Sequence, residues 1–451
     1  MSGKPKIAFI GAGSTAFMRT LIGDVLQVES LKGAHVALMD IDQVRLEQSM
    51  AVAARIVDDL NVETQFTAHL DQREALVRAD FVITAFQVGG YDPCTITDFE
   101  IPKKYGLRQT IADTIGIGGI MRALRTVPHL WSVCDDMMEV CPNAYLLQYV
   151  NPMAMNIWAI KRKYPDLQVL GLCHSIQHTV TALATDLGIE EETIKYKVAG
   201  INHIAFFLEL SQRMADGEYR DLYPQLLDGY VKGLFPTNAS KHNPRCQNIV
   251  RYEMLKRLGY FVSESSEHFA EYVPWFIKSG RNDLIEKFQI PLDEYQTRCI
   301  EALQRWEDEK QALSENMVFE IKPSVEYATH IMHSILSGEP SVIYGNVLNN
   351  GYIKNLPDKC VVEVPCLVDL NGVQPTQVGS IPLHLAAIMQ SNISVQGLVV
   401  EALITQNREH IYHAAMMDPH TAAELDLDKI WSMVDELIAA HGQWLPDWIR
   451  N

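Results

Sequence analysis

Two side chains in this sequence offer the donor types that hold a divalent transition metal. Cys173 stands in Gly171-Leu172-Cys173-His174-Ser175, and His203 closes Ala199-Gly200-Ile201-Asn202-His203. A thiolate and an imidazole suit such an ion, and two protein ligands leave positions for substrate hydroxyls and water. Spacing alone leaves another reading open, in which Cys173 fills an apolar gap and His203 is a hydrogen-bonded core histidine. A third polar segment, Gln148-Tyr149-Val150-Asn151-Pro152-Met153-Ala154, follows an apolar stretch in the same way. All three segments read as strand ends, where open α/β sheets place their ligands.

A different chemistry is written at the N-terminus. The strand-like run Lys6-Ile7-Ala8-Phe9-Ile10 enters Gly11-Ala12-Gly13-Ser14-Thr15-Ala16. Such a turn aims backbone N–H groups and a helix N-terminus at a pyrophosphate. Gly11 allows the tight turn, Gly13 the close approach of the backbone, and Ala16 the contact of helix with sheet. A second apolar run, His35 to Met39, ends at Asp40, placed to accept hydrogen bonds from an adenosine ribose. Strand, turn, helix, strand and acid together point to NAD, and the acid disfavours the extra phosphate of NADP. A glycine turn beside a surface acid is the plainer alternative.

The elements that must position these groups follow from periodicity. Strands are expected at 5–10, 34–39, 80–85, 144–148 and 168–172, with helical patterns between them, for example at 42–60 and 121–140. This is the alternation of a Rossmann-type, doubly wound parallel sheet. The stretch from Gln87 to Gly119 reads as one long loop rich in glycine, polar and aromatic residues, and loops of that length are usually functional. After about Gly200 the pattern changes to mixed strands and long polar helices. The expected organisation is therefore a cofactor domain over 1–200 and a mixed α/β (α+β) catalytic domain over 201–451, with substrate in the cleft between them.

Composition narrows the partners. The 451 residues carry 38 Lys and Arg against 56 Asp and Glu, a formal charge of −18, with no basic run. That argues against nucleic acid and anionic membranes as partners. Eight cysteines (94, 134, 141, 173, 246, 299, 360 and 366) are scattered without a C-x-x-C pair, which suits reduced thiols in a cytoplasm. The N-terminal apolar run is a short strand rather than a signal peptide, and no stretch reads as long and apolar enough to span a bilayer.

Taken in order, G-A-G-S, the loop from Ala112-Asp113-Thr114 to Gly119, N-P-M-A, C-H-S and G-I-N-H resemble glycoside hydrolase family 4, the NAD- and metal-dependent glycosidases. The resemblance runs from residue 5 to the C-terminus and is strongest with the melibiase-type α-galactosidases of bacteria. Further matching stretches are Phe86 to Tyr91, Cys246 to Met254, Ser263 to Tyr272 and Tyr344 to Val347. The resemblance implies a second domain similar to the C-terminal domain of lactate and malate dehydrogenases, a homodimer or homotetramer, and an α-galactoside such as melibiose as substrate. It also implies NAD together with Mn²⁺ or another divalent ion. The implied route oxidises sugar C3, removes the C2 proton, eliminates the glycosidic oxygen, adds water at C1 and returns the hydride. This departs from the two-carboxylate scheme of most glycosidases.

Residue roles implied by the resemblance are unequal. Cys173 and His203 fall on the metal-ligand positions. Tyr272 falls on the position of the C2 base, where a phenol needs a lowered pKa that a metal and nearby cations would supply; otherwise it is a packed aromatic beside Trp275 and Phe276. His174 stands where some relatives carry an acid, and serves either as the acid or as a donor to a sugar hydroxyl. Asp113 is its rival for both tasks, or a loop cap. Asn151 is expected to bind the C2 or C3 hydroxyl, or to form an Asx turn before Pro152. Gly11, Gly13, Ser14 and Asp40 bind the cofactor. His178 replaces a glycine common in the α-galactosidase relatives; it is either a plain helix residue or a pocket residue favouring a C6 carboxylate. That keeps an α-glucuronidase or α-galacturonidase in view. A hydroxy-acid dehydrogenase and an NAD-sensing regulator share the cofactor fold but need no Cys173–His203 pair.

Overall fold

β1 (Lys6–Ile10) is covered on both faces, because its alternate side chains feed two different cores. Ile7 and Phe9 join the larger cluster, while Ala8 and Ile10 join a smaller one with Val82, Leu130, Val133 and Leu146. A strand buried on both sides has no polar face, so its sequence is a continuous apolar run. The computed structural model describes residues 4–235, 248–314 and 321–451. Cys246 and Gln247 of the matching stretch lie outside the described residues, as does the side chain of Ala16.

Around β1 lie β2 (His35–Met39), β3 (Gln65–His69), β4 (Phe81–Thr84), β5 (Tyr145–Gln148) and β6 (Val169–Gly171), all parallel in the order β3-β2-β1-β4-β5-β6. The order reverses between β1 and β4, and the crevice at such a reversal is where doubly wound sheets bind ligands. β3 is absent from the sequence expectation. It is an edge strand, half exposed along Gln-Phe-Thr-Ala-His, and lacks the apolar run that marks its neighbours.

The same sheet then continues. β7 (Ile194–Ile201), β8 (Ile204–Arg213), β9 (Tyr219–Asp221), β10 (Ser341–Leu348), β11 (Val361–Asp369) and β12 (Gly372–Pro375) complete twelve strands among the described residues. β10 joins β6 antiparallel, and the order runs on through β11, β7, β8 and β9, with β12 on the free stretch of β11. The mixed second half is thus one continuous surface with the first, and residue 200 falls inside β7.

Two expectations are corrected here. The segment 87–119 is not one loop: it contains the helix Ile96–Tyr105 and the first residues of the helix Gly116–Val140. Charges and Pro102 mask the first helix in the sequence, yet it buries Asp98, Phe99 and Ile101 and stops at left-handed Gly106. The helix Leu383–Thr405 has the length and hydropathy, 1.3, of a membrane span. Half of it is buried in the protein, where it packs on the helices Met153–Lys163 and Glu409–Met417.

Asp98 is the centre of a buried ionic lock. Arg125 donates to its two carboxylate oxygens at 3.2 and 2.5 Å, and His441 Nε2 lies 2.9 Å from Oδ1. All three side chains are buried and come from three helices, 96–105, 116–140 and 427–441. Arg125 also donates to the Val88 carbonyl, so the lock holds the turn after β4. Removing one member leaves uncompensated buried charge. Arg125→Ala should therefore cost about 3–5 kcal/mol of stability, read as a lowered midpoint in urea denaturation.

Candidate active site

The cofactor cradle is set by space. Gly11 has φ +93°, and a Cβ there would lie 2.4 Å from the Ala85 carbonyl oxygen at the end of β4. A Cβ on Gly13 would meet Asp40 Oδ2 at 2.6 Å. The Gly11 and Ala12 N–H groups donate to the Met39 carbonyl, locking the turn to β2. Asp40 accepts the Gly13 N–H at 2.7 Å on Oδ2 and the Asp42 N–H at 2.9 Å on Oδ1. Exposed Ser14 caps the helix Thr15–Gln27 without a side-chain cap bond among the described residues. A narrow turn, a helix N-terminus and an oriented carboxylate at the sheet reversal fit a dinucleotide.

Across the crevice the loop Thr110–Thr114 is held from below. Buried Glu271 accepts backbone N–H bonds from Thr110 at 2.8 Å, Ile111 at 3.2 Å and Ala112 at 2.9 Å. Ala112 takes φ +54°, a left-handed conformation that needs such support in a residue with a Cβ. Burial raises the Glu271 carboxyl to about 7 in spite of these donors. The loop presents Asp113, which accepts from Thr114 Oγ1 at 2.7 Å and from Asn151 Nδ2 at 3.1 Å, with Arg122 at 3.9 Å. Burial disfavours its charge, but Arg122, then His268 and His203, outweigh that and lower its pKa. With these donors Asp113 is placed as an acceptor, the hydroxyl-binding one of its two expected tasks. Asn151 is joined to it, so the two expected hydroxyl binders form one unit.

Cys173 and His203 are brought together, with Glu264 as a third neighbour. One ligand atom from each lies within 4.8 Å of the others. His203 occupies the two-residue turn between β7 and β8 and is forced to φ +65°. Its Nδ1 lies 3.0 Å from the Tyr272 hydroxyl and its Nε2 3.1 Å from Glu264 Oε2. A soft sulfur, an imidazole and a carboxylate within one ion's reach fit a divalent transition metal. Burial, then the charges of Glu363 and Glu264, push the Cys173 thiol up to about 12.

Tyr272 ends the helix Ser266–Tyr272 and is fully buried. Burial raises its pKa, and the carboxylates of Glu271, Asp113 and Glu264 raise it further. The expectation that neighbouring protein cations lower this phenol is corrected: burial and the carboxylates prevail and raise it. A cation held at His203 would oppose that field. Asn392, from the helix Leu383–Thr405, donates to the Tyr272 carbonyl at 3.4 Å and fixes its backbone.

His174 pairs through Nδ1 with Glu326 at 3.0 Å. Partial burial opposes its charge, but the Glu326 hydrogen bond and charge prevail and raise it to about 9. It is a cation at neutral pH. His178, one turn along the helix Ser175–Leu187, packs edge-on against it at 4.9 Å between ring centroids. Sequence reasoning missed Glu264, Glu271, Arg122 and Glu326. Glu264 and Glu271 lie in the stretch Ser263 to Tyr272, where alternating charges look like a solvated helix face.

Two family descriptions match this chain: family 4 glycosyl hydrolase over residues 6–189 and the family 4 glycosyl hydrolase C-terminal domain over 198–421. The chain belongs to glycosyl hydrolase family 4. An α-galactosidase of Bacillus subtilis is 45% identical to this family 4 chain over 443 residues, 98% of this chain and 99% of that one. An α-galactosidase of Rhizobium meliloti is 33% identical over 455 residues, 98% and 89% of the two chains. A 6-phospho-α-glucosidase from gut microorganisms, solved in complex with NAD and Mn²⁺, shares the fold with a TM-score of 0.81 at 20% identity, covering 98% and 99%.

Two outcomes follow from the site's geometry. Gly13→Ala should abolish NAD binding in a fluorescence titration while circular dichroism stays unchanged, because the added Cβ displaces Asp40. A metal that binds the Cys173 sulfur must expel its proton, so affinity should rise with pH throughout the neutral range. Calorimetry in two buffers of different ionisation enthalpy should read one proton released per ion.

Proposed function

We propose that this family 4 enzyme is an NAD- and divalent-metal-dependent α-galactosidase, acting on α-galactosides such as melibiose. The observation that carries the reading is the convergence of Cys173 and His203 at the end of the sheet that also bears the Gly11–Gly13 cradle. A plain dehydrogenase has no use for that pair. When bound, NAD⁺ supplies a reversible oxidant for sugar C3, and the divalent ion, Mn²⁺ in the simplest case, supplies a Lewis acid for the neighbouring oxygens.

The chain's own residues do the rest. Asp40 and the N–H groups of the first turn hold the dinucleotide, and Cys173 and His203 hold the ion. Asp113 and Asn151, bonded to each other, orient sugar hydroxyls as acceptor and donor. Tyr272 removes the C2 proton; its phenol keeps that role only with a cation on His203, since burial and three carboxylates otherwise hold it protonated. His174, cationic through Glu326, donates to the departing glycosidic oxygen. The 45% identity to an α-galactosidase supports the sugar. The free thiols among the described residues support a reducing, cytoplasmic setting. The enzyme is taken to be a homodimer or homotetramer, without nucleic-acid or membrane partners.

The test is hydrolysis of p-nitrophenyl α-galactoside and α-glucuronide with NAD⁺, Mn²⁺ and thiol each omitted in turn. Cleavage of the galactoside only with all three present is the expected result, and solvent deuterium should appear at C2 of the released sugar. Cleavage of the uronide alone would transfer the specificity to the His174–His178 edge. Net NADH from a hydroxy acid, without cleavage of either glycoside, would sink the glycosidase reading. Cys173→Ala should lose turnover and metal together while remaining folded.

A further inference from the structure

The site holds one carboxylate more than a cysteine–histidine pair requires. Glu264 precedes the helix Ser266–Tyr272, and its side chain is 13% exposed. Its two oxygens are not equivalent. Oε1 accepts the Ser265 N–H at 2.8 Å and lies 3.6 Å from His268 Nδ1, so it is anchored. Oε2 is turned to His203 Nε2 at 3.1 Å. The other ring nitrogen of His203 is engaged by the Tyr272 hydroxyl, which leaves Nε2 for a cation. Two donors each about 2.1 Å from one ion stand roughly 3–4 Å apart, and the Glu264–His203 spacing falls in that interval.

We propose that Glu264 is a third protein ligand of the divalent ion, completing a thiolate–imidazole–carboxylate set with Cys173 and His203. This rests on the metal-dependent reading above and goes beyond the two ligands that the resemblance supplies. An ion entering at Nε2 comes between His203 and Oε2. Thiolate and carboxylate together cancel the charge of a divalent ion, so the set retains its ion without sugar. The hard oxygen also shifts preference toward Mn²⁺ and away from the zinc that sulfur and imidazole alone would favour. Arg251, buried and within electrostatic reach of Glu264, lies with its guanidinium carbon 4.7 Å from the centre of the Phe261 ring.

The experiment is metal titration of the whole sugar-free chain, following Mn²⁺ by electron paramagnetic resonance and Co²⁺ by its visible spectrum. Loss of a partner that merely orients a ligand costs about 10–100-fold in affinity. Glu264→Gln should weaken Mn²⁺ by more than that, weaken Zn²⁺ less, and shift the Co²⁺ ligand-field bands while the sulfur charge-transfer band remains. Glu264→Asp keeps the charge and serves if the glutamine variant does not fold; it should bind Co²⁺ with displaced bands. Wild-type affinity and an unchanged Co²⁺ spectrum in either folded variant would overturn the proposal. The parallel Cys173→Ser variant separates the two readings: if it too leaves affinity unchanged, the metal site itself is wrong, whereas a loss there with none at Glu264 removes only the third ligand.

Discussion

Asn346 in β10 and Glu363 in β11 face each other in register, and each is also the backbone partner of a glycine on the other side. Asn346 pairs with Gly171 of β6, and Glu363 with Gly200 of β7. The Asn346 amide donates to Glu363 Oε1 at 3.1 Å and to the Gly171 carbonyl at 3.3 Å. Both side chains are fully buried, and burial raises Glu363 to about 7. Both glycines are required by space: a Cβ on Gly171 would strike Met153 Sδ at 2.5 Å, and one on Gly200 would strike the Ala205 Cα at 2.5 Å. Two residues beyond the first glycine is Cys173, and three beyond the second is His203. This row ties β6 to β7 through β10 and β11, and the two candidate metal donors, thirty residues apart in the chain, come within one ion's reach.

The short segment from Glu264 to Tyr272 carries an unusual share of the site. It supplies the carboxylate beside His203, the phenol on the other side of that ring, and the Glu271 anchor of the loop that presents Asp113. Its residues serve opposite electrostatic needs. The carboxylates prepare a cation site, and the same negative field holds the Tyr272 phenol protonated. A carboxylate near a phenol opposes its ionisation, while a divalent ion on the adjacent imidazole reverses the sign of the local field. Under the proposed reading, the base strength of Tyr272 is in this way tied to an occupied metal site.

Much of the cofactor half was legible because its physics is local. Buried parallel strands are apolar runs, and the turn after β1 needs glycine at 11 and 13 whatever surrounds it. β3 was not legible, since an edge strand with one wet face has no distinctive run. The helix Ile96–Tyr105 was hidden by Pro102 and by charged residues, one of which, Asp98, is buried against Arg125 and His441 from distant helices. The apolar helix Leu383–Thr405 shows the converse: hydropathy alone does not tell a membrane from a protein core. Glu264 and Glu271 were invisible for the same reason as Asp98, because a buried acid and a solvated acid are the same letter.

By itself the sequence determined the strand–turn–helix that receives a dinucleotide, the donor types at 173 and 203, and, through collinear motifs, the family. These depend on residue type and short spacing, which no later folding event alters. The tertiary structure decided the charge state of each group and its partners. Arg122 beside Asp113 lowers its pKa against the cost of burial, Glu326 makes His174 a cation, and a dry interior with carboxylates close by raises Tyr272 above an ordinary phenol. Those signs arise from distances between residues far apart in the chain and from the loss of water around them, and neither quantity is written along the sequence.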